Sequence, residues 1–391
     1  MMKKVCILSF SPINRDVRIL RQVEHLSRNY SVTVIGFGEL NGPLKTQAKS
    51  RSVPFPSGRM RQLRKAVYLM FGKMWPRAAY GGWYWRERHH QKALELIMEE
   101  HPDIIHANEW PSLPIAVRAS AATKAPIVLD LHEYAPLEWE SRLLWRIFLG
   151  PMVDYFLRQY GPQVSASVTV GDAIAQRYEH EYGFHPISVM NAAQRTGARD
   201  FKATDPANIH LVHHGGAVRD RKLERMIETL AYTNNRYILH FMLVEVSPGY
   251  VSELKRLAQR LAPGRVFFHP PVAPHNLVEK LSEFDMGIYL LSSKDFNHAV
   301  ALPNKFFDFV AAGLAVCIGP SPEMARLVQH HGFGVVTPTI IPCEVAEVLN
   351  RLEASEIDTM KRKAFIAREV LNSDVEMGKL STLYTSLMGE N

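Results

Sequence analysis

The chain has 391 residues, 47 % of them hydrophobic and 22 % charged, with a formal net charge of +7. That length and composition suit about two globular domains, and three cysteines, Cys6, Cys317 and Cys343, with no C-x-x-C spacing, argue against a disulfide framework or a zinc ribbon. No stretch reaches the roughly 18 uninterrupted apolar residues of a membrane span, so the expected setting is cytoplasmic, with attachment at most peripheral, on the inner face of the cytoplasmic membrane.

Short β-branched runs alternate with helical patterns along the whole chain, the rhythm of parallel sheets covered by helices. After Lys3 and Lys4 the apolar run Val5 to Phe10 is too short for a signal peptide and reads as a buried first strand. Further strands are predicted at 32–36, 104–107, 127–131, 167–170 and 187–190, with amphipathic helices at 17–26, 113–122 and 172–182. The alternation restarts at 209–213, 237–244, 265–268, 286–290, 315–318 and 334–336. The polar, aperiodic stretch from Asn191 to Pro206 reads as a linker. The expected organisation is a first domain over 1–195, a second over 196–370, and a closing helix at 371–391 that packs back on the first domain.

Residues 302–316, Leu-Pro-Asn-Lys-Phe-Phe-Asp-Phe-Val-Ala-Ala-Gly-Leu-Ala-Val, resemble the donor-site helix of retaining glycosyltransferases of family 4, which have the GT-B fold. His213-His214-Gly215-Gly216 with Arg221 upstream, Pro320 to Met324 downstream, and residues 103–106 and 130–133 in the first half extend the resemblance over nearly the whole chain. It implies an α/β protein of two Rossmann-like, doubly wound domains facing a central cleft. The activity implied is transfer of a hexosyl unit from a nucleoside diphosphate sugar to a sugar hydroxyl of a glycan or lipid-linked acceptor, with retention, in cell-envelope or exopolysaccharide assembly. Relatives usually carry two glutamates on this element; here the second is replaced by Asp308, and the position of the first holds Val300.

Breaking the donor's glycosidic bond builds negative charge on the leaving phosphate. Arg221, Lys305 and Asn304 beside it stand near predicted helix starts, where cation and helix dipole act together. Asp308, three residues past Lys305 on the same face, would take the ribose hydroxyls as the matching glutamate does in the family, or is an ordinary helix carboxylate. Gly215 and Gly216, where a strand meets a turn, suit close approach of backbone to ligand or a plain tight turn. Glu323 either caps its helix or contacts substrate hydroxyls.

On the acceptor side, His132 and Glu133 follow directly after a strand, at the carboxyl edge where open α/β sheets bind ligands. The resemblance puts His132 beside the transferred sugar, orienting it by a hydrogen bond, while Glu133 is a base or a turn cap. Arg15 and Asp16 open the first helix, Arg15 as a phosphate contact and Asp16 near the acceptor hydroxyl, with helix capping the alternative for Asp16. The 17 histidines show no ligand spacing, so no metal and no cofactor beyond the donor sugar nucleotide is expected.

Between residues 59 and 90 cations interleave with aromatic and apolar side chains. The segment reads either as a face for an anionic membrane surface or as a domain core with a charged outer side; no nucleic-acid motif accompanies it. Two other functions fit less of the sequence: a sugar-nucleotide epimerase on the same fold, and a non-catalytic membrane-surface protein.

Overall fold

A computed structural model describes residues 2–194, 201–291 and 295–389. The described residues cluster into two units, one of residues 1–190 with 377–391 and one of residues 191–376. Part of the expected linker, residues 195–200, lies outside the described residues.

In the first unit seven parallel strands form one sheet: β1 (Lys4–Pro12), β2 (Ser31–Phe37), β3 (Lys49–Ser52), β4 (Ile104–Asn108), β5 (Ile127–Leu131), β6 (Ala166–Thr169) and β7 (Ile187–Ser188). Their order is β3-β2-β1-β4-β5-β6-β7. The order reverses between β1 and β4, which makes their carboxyl ends a switch point where a crevice opens. The residues of β4 and β5 are buried throughout, as expected of strands covered on both faces. The helix Val17–Leu26 follows β1 and buries Ile19, Val23 and Leu26, an i, i+4, i+7 stripe against the sheet.

The second unit repeats the plan with β8 (Ile209–Ala217), β9 (Tyr237–Glu245), β10 (Val266–His269), β11 (Met286–Tyr289), β12 (Ala315–Ile318) and β13 (Gly334–Val336). All pairs are parallel, in the order β10-β9-β8-β11-β12-β13. Leu211, Leu239, Phe241 and Ile288 anchor its core.

Three features differ from the sequence reading. Strand β3 was not expected, because Lys-Ser-Arg-Ser has no apolar alternation; it forms as an edge strand by pairing with β2. Strand β8 runs on through Gly215 and Gly216 to Ala217, paired with Leu243 to Glu245 of β9, so the glycine pair lies inside the ladder and not at its end. The aromatics of 59–90 divide: Tyr80, Trp83 and Tyr84 are buried, whereas Phe71 and Trp75 are exposed. The helix Ser373–Met388 closes the chain, and its Met377, Leu380 and Tyr384 enter the first unit's core beside Val5, Ile7 and Ile19.

Candidate active site

At the switch point of the first sheet a charged cluster is sealed under the strand ends. Asp130, near the end of β5 and 1 % exposed, accepts from Arg18 Nε and Nη2, both at 2.8 Å, and from Gln22 Nε2 at 2.7 Å. Arg18 and Gln22 sit one turn apart on the helix Val17–Leu26, so a single helix face delivers both donors. Arg18 Nη1 donates to the Val189 carbonyl at 2.9 Å. Burial pushes the Asp130 carboxyl up, but Arg18, His132 and His106 overcome this and hold it well below the usual range. His106 is fully buried between Asp130, 3.4 Å from Nε2, and the Tyr384 hydroxyl, 2.7 Å from Nδ1; this is a structural role.

Above this cluster lies a cavity of about 300 Å³ whose lining includes Phe10, Ser11, Asp16, Trp110, His132 and Glu133, with Asn108, Glu109 and Glu138 also on its wall. The His132 ring has an oxygen at each nitrogen: Asn108 Oδ1 at 3.2 Å from Nε2 and Glu109 Oε1 at 3.2 Å from Nδ1. Burial lowers its pKa to about 4, against the pull of Asp130, so the imidazole is neutral at physiological pH. Glu109 also accepts the His132 backbone N–H at 2.9 Å. Its carboxyl is pushed well above the usual range by burial and by Glu133, Glu138 and Asp130, against the His132 N–H. Glu109 holds φ 62°, ψ 159°, a region that side chains other than glycine rarely enter and that stores about 1–3 kcal/mol of strain.

Asp16 serves two purposes. One carboxylate oxygen caps the first helix through the Arg18 and Ile19 N–H groups at 3.1 and 3.3 Å, and the other accepts from Ser11 Oγ at 2.6 Å on the cavity wall. Arg15 is exposed and does not line the cavity; the buried cation of this turn is Arg18. Asn108 and Glu109 stand at the end of the strand neighbouring that of His132, where the sequence puts the ligand crevice but gives them no role, and Gln22 was missed. Their only signal was position, at strand ends and one helical turn from Arg18.

In the second unit the helix Asn304–Ala311 begins after Pro303, which offers no side-chain cap, so the positive end of the helix is left for another acceptor. Lys305, its second residue, is 7 % exposed. Its Nζ lies 5.0 Å from the centroid of the Tyr289 ring at the end of β11 and has no hydrogen-bond partner among the described residues. Burial first, then Arg221, lower its pKa to about 7, opposed by Asp308. Gly215 stands opposite at φ 105°, and an added Cβ would lie 3.4 Å from Lys305 Nζ, an ordinary contact; the backbone angle is what calls for glycine.

Arg221 is carried on the turn Arg219–Arg221, with Nη1 3.5 Å from the Gly216 carbonyl. Asp308 lies one turn past Lys305, with Oδ2 3.5 Å from His214 Nε2. His213 donates from Nδ1 to the Ile288 carbonyl at 2.9 Å and stacks on Tyr289. Burial and the neighbouring Lys305 depress both histidines, His214 to about 3. Both are uncharged at neutral pH, so the positive charge here belongs to Lys305 and Arg221. Asn304 is exposed at the helix start. Glu323, in the first turn of the helix Pro322–His331, is buried against Arg326 at 3.2 Å. Val300, at the position of the family's first glutamate, is buried. Among the described residues no group of three or more histidine, cysteine or acidic side chains is arranged to hold a metal ion.

Two doubly wound parallel sheets with these strand-end sites define the GT-B fold, and solved structures share it over their full length. Anabaena HepE, in complex with UDP and glucose, covers 98 % of this chain and 100 % of its own at 16 % identity, with a TM-score of 0.68. A glycosyltransferase from Rickettsia africae matches over 100 % of this chain and 99 % of its own at 11 % identity and a TM-score of 0.70. Sucrose-phosphate synthase from Thermosynechococcus elongatus matches over 100 % of both chains at 12 % identity and a TM-score of 0.67. No curated protein matches the chain by sequence. The protein is a glycosyltransferase. More narrowly, residues 17–191 match the model of Glycosyltransferase Family 4.

Proposed function

We propose that the enzyme transfers a hexosyl unit from a uridine diphosphate sugar to a sugar hydroxyl of a glycan or lipid-linked acceptor, with retention of configuration. The observation that carries the donor assignment is Lys305: a buried amine whose Nζ has no hydrogen-bond partner among the described residues, at a helix start without a side-chain cap, facing Gly215. An anion is the missing partner. A pyrophosphate fits best, because Lys305 and Arg221 would neutralise the charge that builds on the leaving phosphate without recruiting a metal. Asp308, one turn further on, would accept the ribose hydroxyls, with Gly215, Gly216 and Asn304 giving backbone and amide contacts and Glu323 a contact near the sugar. HepE was solved with UDP and glucose and also with UDP-glucose, which favours the uridine nucleotide.

In the first unit the acceptor ring would enter the cavity between Phe10 and Trp110, with neutral His132 orienting the reacting hydroxyl and Asp16 and Glu133 binding its neighbours. The setting we infer is envelope or exopolysaccharide assembly, at the cytoplasmic face of the membrane. Calorimetric titration of the wild type and Lys305→Ala with UDP, GDP, TDP and ADP, with and without magnesium, tests the donor assignment. Saturable UDP binding without magnesium that weakens in the variant is the expected result; no nucleotide binding by folded wild type refutes it.

A further inference from the structure

We infer that two stretches of the first unit, residues 59–75 and 139–147, form one face that docks the enzyme on an anionic lipid bilayer beside the acceptor cavity. The second stretch was not singled out by composition, and the inference rests on the reading of that cavity as the acceptor site.

The helix Arg59–Phe71 buries none of its residues. Met60, Leu63, Val67 and Met70 follow one another at three- and four-residue spacing, so they line one side of the helix, and that side faces solvent. Its other side is held to the unit in part by Arg61, which pairs with buried Glu87, and by Lys65, whose Nζ sits 4.8 Å over the Trp83 ring. The turn Trp145–Leu149 packs beside this helix and is preceded by Leu143 and Leu144. Met60, Leu63, Met70, Met74, Leu143 and Leu144 are each between 62 % and 78 % exposed; among the described residues only Phe55 and Ile366 are bulky apolar side chains exposed as far. An apolar surface this concentrated marks an interaction site.

Charge selects the occupant. No acidic residue occurs between Glu39 and Glu87, and Arg59, Arg64, Lys73 and Arg77 are exposed there, with Arg142 and Arg146 exposed on the second stretch. A second copy would bring the same cations against these. An anionic bilayer accepts both components, taking apolar side chains into the acyl boundary and leaving arginine and lysine among phosphates, with Trp75 and Trp139 at headgroup depth. Glu138 lines the cavity and Trp139, the next residue, opens the second stretch. The face therefore starts where the cavity wall ends, and an acceptor sugar on a lipid anchor would reach the cavity from the bilayer on which the enzyme sits.

The test is co-sedimentation with vesicles of phosphatidylcholine alone, or with about one third phosphatidylglycerol. Wild type is compared with Leu143→Glu/Leu144→Glu and with Met70→Glu/Met74→Glu, and each protein is also titrated with UDP. The expected result is binding to the anionic vesicles only, lost at about 1 M salt, and weakened at least roughly 10-fold by either pair of substitutions. UDP binding and the urea-unfolding transition should both be unchanged in the two variants, which shows that the second unit and the substituted first unit fold. Wild type that binds UDP but ignores anionic vesicles overturns the inference. So does a Leu143/Leu144 variant that binds vesicles like wild type, or a dimer in solution that either variant dissolves, which would assign the face to a second copy. Vesicle binding by a protein that takes no nucleotide would instead refute the donor assignment and leave this face intact.

Discussion

Replacing Lys305 with methionine should abolish a proton uptake that accompanies donor binding. Burial and Arg221 hold this lysine at a pKa of about 7 in the free enzyme, so at pH 7.5 about one quarter of the molecules carry the ammonium. A pyrophosphate placed against Nζ favours the charged form and draws the remainder from solvent, about 0.75 proton per binding event. If only the protonated enzyme binds well, apparent affinity falls about 10-fold between pH 6 and pH 8, a loss of about 1.4 kcal/mol. UDP-glucose is the appropriate titrant because its diphosphate diester keeps a constant charge over this range, whereas a terminal phosphate titrates near about pH 6. Calorimetry in buffers of differing ionisation enthalpy gives the proton number as the slope of observed heat against that enthalpy. A slope near zero for the wild type, or the same slope for Lys305→Met, refutes the reasoning. The same depressed pKa makes the folded state bind fewer protons than the unfolded chain between about pH 7 and 10. The buried charge therefore opposes folding most below pH 7 and less as pH rises, and Lys305→Met should raise Tm at neutral pH.

Asp130→Asn should destabilise the protein by about 3–5 kcal/mol in urea unfolding, because the Arg18 guanidinium is left buried without its counter-charge; a loss under 1 kcal/mol would show that the pair is dispensable. The depressed Asp130 pKa contributes stability that is present above the unfolded value of about 4 and is lost as pH falls below it, so the gap between wild type and Asp130→Asn should narrow in acid. Glu109→Gly relieves the φ 62° strain but loses the hydrogen bond to the His132 N–H, so stability should change by less than about 1 kcal/mol, while kcat falls roughly 100-fold because His132 loses its partner at Nδ1 and at its backbone N–H. A lower Tm with kcat unchanged would mean that the strained carboxylate serves the fold alone.

Most strands and the helices of the site were legible because local pattern decides them. Continuous apolar runs such as Ile127 to Leu131 have nowhere to go but a sheet covered on both faces. The helix at 17–26 carries its own apolar stripe and its own cap in Asp16. Edge strand β3 was not legible, since Lys49–Ser52 is extended only because β2 offers it a ladder. The spacing of Lys305 and Asp308 put both on one helix face, but nothing local indicated that Lys305 would be buried over Tyr289, from another strand, and lose its hydrogen-bond partners.

The cavity shows the same division. His132 was found because it follows a strand, a fact of sequence order. The roles of Arg18, Gln22 and Glu109 were not legible because they depend on distant partners: Arg18 meets Asp130 112 residues away, and Glu109 meets His132 23 residues away. The sequence by itself determined the alternation of strands and helices, and with it two parallel sheets and the places of their strand ends, because hydrophobic periodicity and caps act within a few residues. Which carboxylate is neutralised, which lysine is desolvated and which apolar stripe is left facing solvent were decided by tertiary structure, since burial and charge pairing are set by neighbours that only the packed sheets bring together.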